Sequence, residues 1–437
     1  MIQRLLKYLD SSTCNFLAVD CIRRELDGRG FSELKECDNW ELRPGDRRYV
    51  IKNGSPAIMA FIVGSGNPAE AGFRIISSHS DSPCFKIKPN AEIYGEGGMV
   101  SLNVEKYGGG ILYTWFDRPL SISGRVMLRT ADPLNPECRL LDMRRPVAFI
   151  PHLAIHFNRA VNEGNPLSVQ KDMKPVVGYF TPEEIERQKR EGGIVKMTVA
   201  KELGVDVSDI LEYELCLYPA EPAALCGLND EFFQSARIDD LSMAFASLEA
   251  LLTAADNKEI TPATRVMAVF DNEETGSGTK QGAHSPLLRS IMERLCTVLA
   301  PGDAQAFPRS VARSFMISAD DAHAWHPNYN EKYCPTNHAL MGSGPAVKIN
   351  ANCKYMTDAD GAAVMKALCE KAGVKCQYFV NHSDVAGGST LGNILTGQLA
   401  LRGVDMGAPI WAMHSARETA AVADHIATVA LFTTFFA

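Results

Sequence analysis

The sequence has no unbroken stretch of the roughly 18 apolar residues that a membrane-crossing helix needs. The apolar C-terminal segment, 420–437, is interrupted by Asp424 and His425. It also has no Cys-x-x-Cys pair. Its 12 cysteines follow no disulfide-framework spacing, in a chain of 437 residues that needs no covalent staples. Residues 1–9 carry neither a continuous apolar h-region nor a small-residue cleavage site, so no export signal is read there. These absences together predict reduced, mostly buried thiols in a cytoplasmic protein. A long Lys/Arg run is missing too, and the formal net charge is −8. Nucleic acid and anionic membrane are therefore not expected as partners. Finally, the glycines at 108–110 are not followed by the Gly-Lys-Ser/Thr of a phosphate loop, so a close-packed turn is the better reading.

What is present suits a large globular chain: 46% hydrophobic and 22% charged residues, in a length that suggests two domains or one domain carrying an insertion. Phe16, Leu17, Val19, Ile22 and Leu26 lie at helical spacing after Ser12 and Thr13, with Gly28 as a stop. Short apolar runs at 57–63, 73–76, 265–270 and 315–317 read as buried strands, and 241–254, 287–299 and 361–372 as helices. That alternation predicts an α/β fold in which a mixed-sheet α/β/α catalytic domain spans 1–88 and 235–437. Residues 89–234 read differently, with strand-like pieces such as 120–128, many turns and a charged helix at 182–192. They are expected to form a mostly β inserted domain.

The chemistry gathers where the apolar runs end. After 73–76 comes Ser-Ser-His79-Ser-Asp81; after 265–270 comes Asp271-Asn-Glu273-Glu274; after 315–317 comes Ser-Ala-Asp320-Asp321-Ala-His323. Asp239 and Asp240 open the 241–254 helix, and His414 precedes the last helix. Taken singly, an Asp pair before a helix is more often an N-cap, and a lone His is more often structural. Repeated charge at the ends of buried strands is different, because something there must neutralise it. Two His and several carboxylates, with no nearby Cys pair, suit divalent ions such as Zn²⁺, Mn²⁺ or Co²⁺. Adjacent Glu273 and Glu274 point different ways, so one can bind metal while the other faces a reacting water. Asp81, two residues beyond His79, can orient its imidazole. Backbone amides in Gly387-Gly388-Ser-Thr-Leu-Gly392 could face a substrate.

These motifs, with Tyr107-Gly-Gly-Gly-Ile, Thr114-Trp-Phe-Asp-Arg, Pro151-His-Leu-Ala-Ile-His156, Arg237-Ile-Asp239, His323-Ala-Trp-His-Pro-Asn-Tyr and Met413-His414-Ser, make the chain resemble the M18 metallopeptidases, the aspartyl aminopeptidase group. The resemblance implies a two-metal aminopeptidase with His79, Glu274, Asp320 and His414 as ligands and Asp239 bridging two ions, Zn²⁺ before Mn²⁺ or Co²⁺. It implies Glu273 as general base, with Asp81 beside it in the catalytic set. Substrate contacts fall on His323, Lys348, Tyr355 and His156, the last reaching a neighbouring subunit's site. Peptides are the implied substrates, with Asp or Glu preferred at the N-terminus through Lys348. Apolar or broad specificity is the alternative, because Asp240 stands where that group carries Asn, and Asn350-Ala-Asn-Cys-Lys354 is less basic than its counterpart. The implied assembly is a homo-oligomer, dimers joined through the inserted dimerisation domain into a tetrahedral dodecamer. A metal-dependent carboxypeptidase or amide deacylase, and a non-catalytic shell protein, are the rival readings.

Overall fold

The computed structural model describes residues 1–52 and 54–437. They form two compact units: Met1–Asp81, Ala223–Met413 and Glu418–Ala437 in the first, Ser82–Pro222 and His414–Arg417 in the second.

The first unit is built on a nine-stranded sheet, ordered Ser32–Glu33, Arg47–Ile51, Ile58–Ile62, Thr264–Phe270, Phe73–His79, Phe315–Ala319, Arg402–Gly407, Ala346–Lys348 and Gln377–Phe379. Its centre is parallel: Thr264–Phe270 and Phe315–Ala319 flank Phe73–His79, and Arg402–Gly407 pairs with Phe315–Ala319 in the same direction. Ile58–Ile62, Thr264–Phe270 and Phe315–Ala319 are buried at every position. Strands buried along their whole length need cover on both faces. Alternation supplies it. Ile76 joins a core with residues of the helices Ile238–Asp256 and Val422–Phe436, while Ile75, pointing the other way, joins a second core with Leu287, Ile291 and Leu295 of the helix Leu287–Leu299. The result is the expected α/β/α sandwich. Helix Ile238–Asp256 is apolar on nearly all sides because it is enclosed on nearly all sides.

The second unit has a six-stranded antiparallel sheet, ordered Glu137–Asp142, Leu120–Leu128, Ile210–Pro219, Cys84–Tyr94, Met99–Tyr107 and Val176–Tyr179, with its own core around Phe85, Trp115, Val126 and Leu217. The charged helix is Pro182–Arg190, started by a capping box between Thr181 and Glu184. The edges of this unit differ from the 89–234 read in the sequence. The Cys84–Tyr94 strand already lies in the six-stranded sheet. Ala224–Cys226 and Phe232–Ser235 pair with each other in a five-stranded sheet of the first unit.

The first expected helix is Asn15–Asp27, capped by Cys14 rather than by Ser12 or Thr13, because Ser12 closes a preceding helix, Ile2–Ser11. Among the described residues no cysteine is joined in a disulfide, and no helix is long and apolar enough to cross a membrane.

Candidate metal centre

Because the four central strands of the first unit run parallel, their carboxyl ends lie along one edge of the sheet, where open α/β sheets carry their sites. Phe270 pairs with His79, and Ala319 with Met406, so the segments beginning at Ser80, Asp271, Asp320 and Ala408 leave together. That register turns motifs far apart in the chain into neighbours.

His79 ends its strand almost fully buried, and its N–H donates to Asp240 Oδ2 at 3.0 Å. Its ring Nδ1 is 3.1 Å from the Asp81 carbonyl and 3.4 Å from Asp81 Oδ1, and Nε2 is 3.5 Å from Asp239 Oδ1. With Nδ1–H donating to Asp81, Nε2 is left with its lone pair on the Asp239 side. Burial pulls the imidazole's pKa down, but Asp240, Asp239 and Asp81 outweigh it and hold His79 well above its ordinary value. The ring is thus enclosed by more negative charge than it can balance.

Asp81 has a second task that its place in the sequence does not reveal. Its Oδ1 accepts the Glu273 N–H and its Oδ2 the Glu274 N–H, both at 3.1 Å. One carboxylate therefore pins the turn Glu273–Thr275, which is entered through Asn272 at φ +61° and left through Gly276 at φ +91°. Asn at Asp81 can offer only one acceptor and turns an NH₂ towards the other donor. Asp81→Asn is expected to weaken divalent-ion affinity roughly 10–100-fold, read by competition against a colorimetric zinc chelator. Unchanged affinity counts against the clamp.

The Asp239–Asp240 pair does not cap the helix. Arg237, at φ +62°, holds the N-cap position, and neither Asp has helical backbone angles. The peptide bond between them is cis. Asp239 N–H donates to Glu418 Oε2 at 3.1 Å. Candidate ligand atoms of His79, Asp239 and Asp320 lie within 4.8 Å of one another, as do those of Asp239, Asp240 and Asp321, and all five residues are buried. Burial and mutual repulsion push Asp240 and Asp321 well above the usual carboxylate range. One oxygen of each, Asp240 Oδ1 and Asp321 Oδ1, is buried without a hydrogen-bond partner. Glu273, half-buried, is raised to about 8, first by burial, with His79 acting against it and Asp320 and Glu274 with it. Buried carboxylates packed so closely, around one imidazole and with no thiolate, form the donor set that a divalent cation satisfies. The residues fit a metal.

Lys348 is the ammonium in this group. It is buried and donates to Asp320 Oδ1 at 2.9 Å, which raises its pKa against the opposing effect of burial. Its Nζ also lies 5.8 Å from the centre of the buried Tyr355 ring. His323 is exposed, its ring edge-on to Phe379 at 5.8 Å. Gly407 lies under Asp320: a Cβ there would come 1.9 Å from the Asp320 carbonyl oxygen, so only glycine permits this approach. His414, at φ +69°, belongs to the second unit, where its Nδ1 is 3.3 Å from the Gly109 carbonyl. His156 is exposed in the same unit, with Leu153, Ile155 and Phe157 exposed beside it.

Sequence reasoning gave no role to Glu418, which holds the Asp239 backbone, or to Asp405. A single carboxylate on a short strand has no pattern to betray it, although Glu418 closes the motif begun by Met413-His414.

The chain matches a family model described as "Aminopeptidase I zinc metalloprotease (M18)" over residues 8–436. A probable M18 family aminopeptidase 2 of Clostridium novyi is 45% identical over 432 residues, covering 99% of this chain and 97% of that protein. Among solved structures, a chain in the cryo-EM structure of the Ape4 and Nbr1 complex superposes with TM-score 0.95 at 34% identity, covering 99% of this chain and 85% of that one. The S. cerevisiae mApe1 dodecamer gives TM-score 0.85 at 28% identity, covering 99% and 95%.

Proposed function

Since this chain belongs to the M18 family of zinc metalloproteases and is a metallo-aminopeptidase, we propose that it removes N-terminal residues from peptides with two divalent ions, Zn²⁺ first among them. His79, Asp239, Glu274, Asp320 and His414 are the proposed ligands, with Asp239 shared. When bound, such ions polarise the scissile carbonyl and acidify a water. The chain supplies the rest. Glu273 takes the proton of the attacking water and delivers it to the leaving amine. Asp81 fixes the backbone that carries both glutamates and sets the His79 tautomer. The observation that carries this reading is that double acceptance by Asp81, which ties the proposed base and a proposed ligand to the His79 strand.

For specificity, we propose a preference for N-terminal Asp or Glu, with Lys348 providing the charge, Tyr355 and His323 the neighbouring contacts, and His156 a contact to a second subunit's site. A buried, permanently charged ammonium supports it. The Lys348–Asp320 hydrogen bond supports the apolar or broad alternative, because that ammonium already has a carboxylate. The proposed assembly is a homo-oligomer of dimers joined through the second unit, up to a tetrahedral dodecamer. Likeness to the mApe1 dodecamer and the exposed apolar side chains around His156 support it. A cytoplasmic location accords with twelve cysteines that form no disulfide among the described residues.

Hydrolysis of aminoacyl-p-nitroanilides by metal-depleted protein, with and without Zn²⁺, Mn²⁺ and Co²⁺, tests the reading. Metal-restored cleavage with Asp and Glu ahead of Leu is expected, and Leu ahead removes the acidic preference. N-acetylated and C-amidated peptides separate the rivals, since an aminopeptidase is stopped only by the acetyl group.

A further inference from the structure

Asp405 is fully buried on the Arg402–Gly407 strand, opposite Ser318, two residues before the proposed ligand Asp320. Burial raises its pKa, and hydrogen bonds from Thr390 and Met356 act against that rise. The geometry explains why a carboxylate stands in such a place. Oδ2 accepts the Met356 N–H at 2.6 Å, and Oδ1 accepts the Thr390 hydroxyl at 2.6 Å. Met356 follows Tyr355. Thr390 is the N-cap residue of the helix Leu391–Gln398 and lies within the glycine-rich run Gly387–Gly392. The backbone of Asp405 adds a third tie, its N–H donating to Thr357 Oγ1 at 2.8 Å.

Two segments more than thirty residues apart in sequence are thus held by one side chain. The helix approaches it so closely that a Cβ at Gly392 would lie 2.5 Å from Asp405 Oδ2. A buried carboxylate accepting two short bonds is a stiff joint, because losing either partner leaves charge uncompensated in a low-dielectric interior.

We propose that Asp405 is a positioning residue for substrate binding, which locks the Tyr355–Thr357 segment and the N-terminal turn of the Leu391–Gln398 helix in register beside Lys348. This rests on the aminopeptidase reading, in which Tyr355 and Lys348 face substrate. Asp405 touches neither substrate nor metal; it sets where those groups stand. Its loss falls on affinity rather than on the proton transfer assigned to Glu273.

Three substitutions in the metal-loaded enzyme separate the contributions. Asp405→Ala removes both side-chain ties, and KM is expected to rise roughly tenfold or more while kcat stays within about threefold. Asp405→Asn rescues most of this, since its oxygen can accept from Met356 and its NH₂ can donate to a rotated Thr390 hydroxyl. Thr390→Val cuts one tie without touching Asp405, and serves if Asp405→Ala fails to fold.

Hydrogen exchange reads the same joint without turnover: Asp405→Ala is expected to accelerate exchange in 354–358 and 387–393 together, Thr390→Val in 387–393 alone. Unchanged exchange, or a fall in kcat at constant KM, overturns the assignment. Wild-type enzyme that cleaves no aminoacyl substrate overturns the aminopeptidase reading and the affinity role with it. Wild-type turnover with unaltered variant constants overturns only the role of Asp405.

Discussion

Glu273→Gln is expected to lower kcat by a factor on the order of 10²–10⁴ while metal content stays at the wild-type level. The substitution keeps the side chain's size and leaves the backbone N–H that donates to Asp81, so the clamped turn persists. What it removes is the capacity to accept and return a proton. The neighbouring Glu274 is not expected to take over, because it is a proposed metal ligand and its amide is fixed beside that of Glu273 by the same carboxylate. Metal analysis by mass spectrometry and steady-state kinetics on the same preparation check this. Full activity would sink the base assignment. Activity lost together with metal would make Glu273 a ligand instead.

Chelation is the second large effect, and it is expected to show in stability as well as in rate. Turnover should vanish with a strong chelator and return on adding Zn²⁺. The folded state should suffer too, because Asp239, Asp240, Asp320 and Asp321 are buried together and lose their counter-charge. An ion present at 100 times its Kd stabilises the native state by about 2.7 kcal/mol, which for a unit of this size is a Tm shift on the order of 5 °C.

The metal-free protein should also acquire a pH dependence. In it, burial first of all lifts Glu273 to about 8 and Asp271 to about 7. Unfolded carboxyls titrate near about pH 4. Between there and pH 8 the folded state therefore holds more protons than the unfolded one, and stability falls as pH rises through that window. Thermal melts of chelated and loaded protein from pH 5 to 8 check the sign: the gap between them should widen with pH. A constant gap means that ion binding does not relieve this crowding.

Much of this was readable in the chain because sheet burial and site chemistry leave local traces. The strands Thr264–Phe270 and Phe315–Ala319 are buried at every position since both faces are covered, and apolar but for Thr264, Arg265 and Ser318; His79, Glu273 and Asp320 stand at or just beyond the ends of such strands. The Asp239–Asp240 pair was ambiguous for a physical reason: an N-cap and a buried cluster place the same residues before the same helix, and only tertiary contacts with His79 and Glu418 distinguish them. Other features left no trace. The Arg402–Gly407 strand is interrupted by Gly403 and Asp405, so it lacks an apolar run. The five-stranded sheet is made of segments two to four residues long, and its pairings of Phe232–Ser235 with Glu418–Ala421 and of Ala322–His323 with Pro409–Trp411 join parts of the chain far apart in sequence. Local patterns cannot report pairings of that kind.

The parallel centre of the nine-stranded sheet also dictates when the site comes into being. Phe73–His79 finds its neighbours only after Thr264–Phe270 and Phe315–Ala319 exist, and Asp320 rests on Gly407 of a strand made later still. Pairings across such separations are slow, because long loops must close before any contact rewards them. A chain still on the ribosome at residue 300 has His79 and Asp239 but no Asp320, and it carries open sheet edges that invite chaperones and proteases. If His79, Asp239 and Asp320 hold an ion as proposed, its capture therefore waits for the strands that carry Asp320 and Gly407.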